Sequence, residues 1–176
     1  MRLRPRFLPA GYGPADVSTV RTSIDIAAPP EAVWEFVMDP TKAAEWVTIH
    51  RGLKDHDGGI LRPGYRMDQR LCLRGVSFDV HWQLVEVDAP RYAVWEGKGP
   101  ARSKARIVDR LSAGGDGGTH FEYENEFHAP FGPLGAVAAR ALTGGVPQRE
   151  ADASLKRLKQ ILEARRPRPT EREVAP

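Results

Sequence analysis

Two carboxylates, two amides and three tyrosines are the side chains of this sequence whose types and positions can do chemistry inside a folded domain: Asp109 and Glu96, Gln69 and Asn125, and Tyr65, Tyr92 and Tyr123. A carboxyl enclosed by Trp82 and aliphatic neighbours has its pKa raised and serves as a general acid or base. At a strand end, Asp109 would instead be hydrated or paired with an arginine. The amides of Gln69 and Asn125 either orient a ligand carbonyl or hydroxyl, or satisfy each other, a water or a strand end. The tyrosines either donate hydrogen bonds inward or are core aromatics whose hydroxyls reach the surface.

Other chemistries lack their residues. His81, His120 and His128 fall on the solvent face of their strands, while His50 and His56 lie in a segment with Asp55, Asp57 and Gly58-Gly59. No pair has the spacing of a helix-borne zinc site, so no metal is expected. The single cysteine, Cys72, forms no internal disulfide and sits opposite Ser77 with no base beside it. A Ser-His-Asp signature, a phosphate loop and a dinucleotide fingerprint are all missing, and no cofactor is expected. The glycine-rich run Gly114 to Gly118 joins two antiparallel strands and reads as a turn.

Alternation is what places these residues. From Tyr65 to Leu73, one face carries Tyr65, Met67, Gln69, Leu71 and Leu73, and the other carries Arg66, Asp68, Arg70, Cys72 and Arg74. From Val76 to Leu84, Val76, Phe78, Val80, Trp82 and Leu84 oppose Ser77, Asp79, His81 and Gln83. Folding this as a hairpin with Arg74-Gly75 as its two-residue loop sets Leu73 against Val76, Leu71 against Phe78 and Met67 against Trp82. On the reverse face it sets Arg70 against Asp79 and Asp68 against His81, which pairs opposite charges. A one-residue slip scrambles both faces.

A second hairpin obeys the same test. Lys104, Arg106 and Arg110 share a face, opposed to Ala105, Ile107, Asp109 and Leu111; after the turn, His120, Glu122, Glu124 and Glu126 oppose Phe121, Tyr123, Asn125 and Phe127. Antiparallel pairing puts the basic row beside the acidic row in solvent and the aromatics inside. Between the hairpins, residues 91–98 form another strand of open facing: Glu96 points inward if Tyr92 and Val94 do, and outward if Ala93 and Trp95 do.

The remaining elements follow from caps and periods. Residues 18–27 favour a first strand, and Pro29-Pro30-Glu31 opens a helix with Val33, Phe36 and Val37 as its stripe. Asp39-Pro40 starts a second short helix reaching about Trp46. Near the end, Leu134, Val137, Ala138, Ala141 and Leu142 make one helical stripe, and Ala151, Leu155, Leu158 and Leu162 make the next, with Arg149, Glu150, Lys156, Lys159 and Glu163 outside. Gly144-Gly145-Val146-Pro147 interrupts them and predicts a kink or break, read as a ligand-admitting hinge or as a bend fitting the helix to a curved sheet.

The expected class is α+β: about seven antiparallel strands, two short helices after the first strand, and a long C-terminal helix. With 176 residues the chain fits one domain burying roughly 70% of its unfolded surface. Residues 1–17 read as an extended arm, 18–165 as the domain and 166–176 as a disordered tail. Hydrophobic residues make up 41% and charged residues 28% of the chain. No apolar run approaches the roughly 18 residues of a membrane span, and the basic N-terminus lacks a secretory apolar stretch. Stable membrane insertion is not expected, and a cytoplasmic location follows by default. The net charge of +3 comes partly from terminal arginines, and no basic face interleaved with aromatics marks a nucleic-acid binder. An exposed strand edge or the arm leaves a homodimer open.

This order of elements is that of the helix-grip fold. The stretch from Ile24 through Ala28-Pro29-Pro30-Glu31 to Val37, followed by Asp39-Pro40, resembles the opening of the SRPBCC (START-like) superfamily, and more narrowly its polyketide cyclase/dehydrase-like branch. Trp46, Pro63-Gly64, Gly118-Thr119 and Gly132-Pro133-Leu134-Gly135 are also similar. The resemblance spans roughly residues 18–165 and implies a cavity between the concave sheet face and the terminal helix. Its lining would include Met67, Gln69, Phe78, Trp82, Phe121, Tyr123, Asn125, Phe127, Val137 and Ala141. Three functions fit such a chain. The first is binding or carrying an apolar small molecule, such as a lipid, polyketide or aromatic metabolite. The second is a polyketide-type cyclase or dehydratase using Asp109, Glu96 or a tyrosine. The third is a partner-binding domain whose cavity its own side chains fill.

Overall fold

The computed structural model describes residues 17–129 and 145–165. The N-terminal arm, the C-terminal tail and the first helical stripe, with Val137 and Ala141, lie outside the described residues. Seven strands form one antiparallel sheet in the order β1-β7-β6-β5-β4-β3-β2. They are β1 (Val17–Ile26), β2 (His50–His56), β3 (Arg66–Leu73), β4 (Val76–Asp88), β5 (Tyr92–Lys98), β6 (Lys104–Ala113) and β7 (Thr119–His128). Between β1 and β2 come α1 (Pro30–Val37) and α2 (Ala43–Trp46), and the described chain ends in α3 (Val146–Ala164).

Both hairpins take the register that alternation dictates. Leu73 pairs with Val76, Leu71 with Phe78, Met67 with Trp82, Arg70 with Asp79 and Asp68 with His81. The loop is Arg74-Gly75, with φ of 51° and 78°, the left-handed pair that matches strand twist in a two-residue hairpin. In the second hairpin Arg106 pairs with Glu126, Arg110 with Glu122 and Asp109 with Tyr123. The outer face becomes a lattice of opposite charges: Asp79 receives Arg70 at 2.9 Å and Lys54 at 2.6 Å, and Glu124 receives Arg21 at 3.0 Å. A bulge between Leu84 and Glu86 of β4 bends the sheet, since an extra residue on one strand raises local twist.

Strand β2 is not legible from alternation. Its register slips against β3 at two places, so no continuous two-residue period survives in its sequence. Both it and β1 are edges of the sheet.

The helices are positioned by their ends. Proline occupies the first turn of α1, where its missing N–H costs nothing. Asp39 accepts the Thr41 N–H at 2.9 Å and caps the short 3-10 turn Pro40–Lys42 that leads into α2. At α3, Gly145 is left-handed (φ 68°) and Pro147 lies in the first turn, so this part of the glycine-proline interruption starts a helix. Gln148 Nε2 donates to the Arg21 carbonyl at 2.9 Å, and the Ala27 N–H donates to Glu163 at 2.8 Å. These two bonds lay α3 alongside β1 from end to end. Its Leu155, Leu158 and Leu162 are buried with Val33, Trp34, Leu84, Leu111 and Phe121 in the core.

Candidate ligand cavity

Among the described residues, the core closes fully at one end of the grip and leaves a space at the other. Along the inner face of β7, Phe121 is wholly buried, whereas Tyr123, Asn125 and Phe127 are partly open. What opens beside them is a cavity of about 370 Å³ between the sheet, α1, α2 and α3. That volume lies within the range of small-ligand sites, roughly 300–1,000 Å³. Met67, Gln69, Phe78 and Trp82 line it from β3 and β4, and Asp109, Tyr123, Asn125 and Phe127 from β6 and β7. Among the described residues, no side chain fills this space.

One proposed lining residue, Phe121, and one catalytic candidate, Glu96, sit elsewhere. Phe121 belongs to the closed core beside Leu111 and Ile24, its strand partners, because the helices pack directly on that end. Glu96 is exposed: β5 turns Ala93, Trp95 and Gly97 inward, and the alternation carries Glu96 to the opposite face beside Arg106. It is no candidate for chemistry in the cavity. Among the tyrosines, Tyr65 is buried outside the cavity with its hydroxyl 2.9 Å from His56 Nδ1. Tyr92 lies on the outer face, with the Arg110 guanidinium 5.7 Å from its ring centre.

Asp109 is the most buried ionisable group of the described lining. It is 4% exposed, and no hydrogen bond to its carboxyl is present among the described residues. Burial raises its pKa from 3.8 to about 7, against a smaller opposing pull from Arg110 on the far face of the strand. Tyr123, directly opposite, is pushed up strongly by burial and then by the Asp109 charge, so its phenol stays protonated. The Asn125 amide donates to the Tyr123 hydroxyl at 3.1 Å, while Asn125 Oδ1 is buried without a partner. The indole nitrogens of Trp46 and Trp82, two further lining residues, are also buried without partners. The wall thus presents donors and an acceptor that nothing in the described chain engages.

Glu150 was expected in solvent, yet it lines the cavity from the first turns of α3. The Thr48 hydroxyl donates to its carboxylate at 2.7 Å, and Ser154 donates to its carbonyl at 2.7 Å. The signal lies in spacing: Glu150, Ser154 and Leu158 recur every four residues, and the latter two are buried. The long α3 stripe of leucines masks that second row. The loop Gly99–Ser103 also reaches the cavity, with Ala101 and Arg102 left-handed at φ 53° and 65°.

Over residues 18–163 the chain matches the family described as polyketide cyclase / dehydrase and lipid transport, and it belongs to that family. Curated relatives are found in Mycobacterium tuberculosis. "Toxin Rv0910" is 26% identical over 70% of this chain and 87% of its own length. "Uncharacterized protein Rv1546" is 29% identical over 74% of this chain and 92% of its own length. Among solved structures, the ZhuI aromatase/cyclase of Streptomyces sp. R1128 superposes with a TM-score of 0.70 at 17% identity, covering 85% of this chain and 95% of that one. TTHA0849 of Thermus thermophilus superposes with a TM-score of 0.68 at 17% identity, covering 84% of this chain and 98% of that one. The superpositions establish the helix-grip fold, and the family match sets the chain in the SRPBCC polyketide cyclase/dehydrase-like branch.

Proposed function

We propose that this protein binds a small, largely apolar molecule in the cavity between the sheet and α3. The observation that carries the reading is the 370 Å³ cavity itself, walled by aromatic and aliphatic side chains with a few convergent polar groups. Apolar walls supply affinity through released water, and Gln69, Asn125 and the two indole N–H groups supply orientation. Native mass spectrometry of freshly purified protein, with extraction of anything bound and titration with Nile red, tests it. A co-purifying apolar molecule, or saturable Nile red binding weakened by Phe78→Asp, supports the reading. Absence of both a co-purifying molecule and dye binding overturns it.

Asp109 supports a second reading, proton transfer on the bound molecule in the manner of a cyclase or dehydratase. An acid with a pKa near 7 exists in both protonation states at neutral pH, as general acid–base work requires. Its test is turnover of a ligand identified by the first experiment, abolished in Asp109→Asn while binding persists.

A further inference from the structure

Among the described residues, the charges that line the cavity are unbalanced. Among the described lining residues the ionisable groups are Asp39, Asp109, Glu150, Tyr123 and Lys104. Three of these are carboxyls and one is an ammonium, and the ammonium belongs to Lys104, which is exposed at the mouth. Two carboxyls have work within the fold: Asp39 caps the 3-10 turn ahead of α2, and Glu150 receives the Thr48 hydroxyl. Asp109 has none. It is the deepest of the three and faces the cavity without a hydrogen-bonding partner among the described residues.

The surroundings of Asp109 leave room for a cation and suit one. Its strand neighbour on β5 is Ala93, a small residue of the closed core. Its neighbour on β7 is Tyr123, and Trp95 pairs with Ile107, the next inward residue of β6. Aromatic faces attract ammonium groups, most of all where water is excluded. A buried carboxylate without a partner is costly, and an incoming ammonium removes that cost by pairing with it. A carboxylate or phosphate ligand would meet only repulsion there.

We propose that the cavity takes an amphiphilic amine: an apolar body in the aromatic chamber, with its ammonium seated against the Asp109 carboxylate. This rests on the reading of the cavity as a site for an apolar molecule and specifies the polar end of that molecule. Glu150 and Asp39, less buried than Asp109, draw such a cation inward.

Three probes that share one tail separate the two ideas: octylamine, octanol and octanoate, titrated calorimetrically at pH 8. Octylamine is expected to bind roughly tenfold or more tightly than octanol, a difference of one ordinary charge-assisted contact. Octanoate should bind weakest. Asp109→Asn should abolish the preference for the amine and keep octanol binding. In the unmutated protein, lowering the pH to 5 should shrink the preference as Asp109 protonates, with Tyr123, Glu150, Asp39 and Lys104 the other titratable groups facing the cavity. That measurement stands even if the variant folds poorly. Octanol or octanoate binding as tightly as octylamine overturns the amine while leaving an apolar site intact, as does an amine preference that survives in Asp109→Asn. Failure of all three probes overturns the apolar site together with the amine.

Discussion

Asp109 and Tyr123 stand directly opposite one another on adjacent strands, both turned to the cavity, and the Asp109 charge makes the Tyr123 phenol harder to ionise. The folded state holds the Asp109 proton up to about pH 7, whereas an unfolded chain releases it near 3.8. The folded protein therefore binds more protons between these values, and stability falls as pH rises through that window. Asp109→Asn removes this dependence. In urea unfolding, the variant should match the parent near pH 4 and exceed it at pH 8 by up to roughly 4 kcal/mol, less the cost of the buried amide. A parent more stable at pH 8 than at pH 5 relative to the variant would contradict the burial of this carboxyl.

Gly97 is the strand partner of Trp82, and the indole lies over it. A methyl at Gly97 would stand 2.7 Å from Trp82 Cζ3 and 2.9 Å from Val80 Cγ1. Gly97→Ala must push the ring toward the cavity. Stability should drop by about 1–3 kcal/mol, and Nile red affinity should fall with it. Unchanged tryptophan emission and dye affinity would show that the ring has other room.

Thr119 is buried at the start of β7 and donates to the Ala28 carbonyl at 2.6 Å, tying the sheet to the approach to α1. Thr119→Val leaves that carbonyl unpaired at similar side-chain volume, and a loss of about 1–3 kcal/mol should appear in thermal or urea unfolding. Gly118→Ala should also be harmful, because its methyl would meet the Ile26 carbonyl oxygen at 2.8 Å.

Asp79 holds Arg70 and Lys54 at once and so fastens β2 and β3 to β4. These bonds keep its carboxyl far below the usual range, so they persist at neutral pH and weaken only in strong acid. Asp79→Asn should speed amide exchange along β2 while leaving β6 and β7 unaffected. Because the side chains are solvated, added salt should erase much of the difference between parent and variant.

What the sequence revealed depended on whether a residue's facing had a partner to check it. The two hairpins carried such checks twice over, in apolar pairs inside and opposite charges outside, so Gln69, Asp109, Tyr123 and Asn125 face inward as their alternation dictates. Strand β5 lacked one: Val94 is buried although it shares a face with Glu96, and with apolar residues on both faces the alternation has no preferred side. Glu150 was hidden because one residue can belong to a helix's polar surface and also to the edge of its buried stripe. The bulged edge β2 had no period to read.

Among the described residues, the grip is closed at one end and open at the other. From Leu84, Leu111 and Phe121 to the leucines of α3, one half is a solid keel. From Val76 and Phe127 to Ala101, the other half is a rim around the cavity. Changes in the rim alter who fits without unseating the keel. On the proposed reading, a lineage of such proteins can therefore exchange one guest for another through single substitutions, each of which still leaves a folded chain for selection to act on.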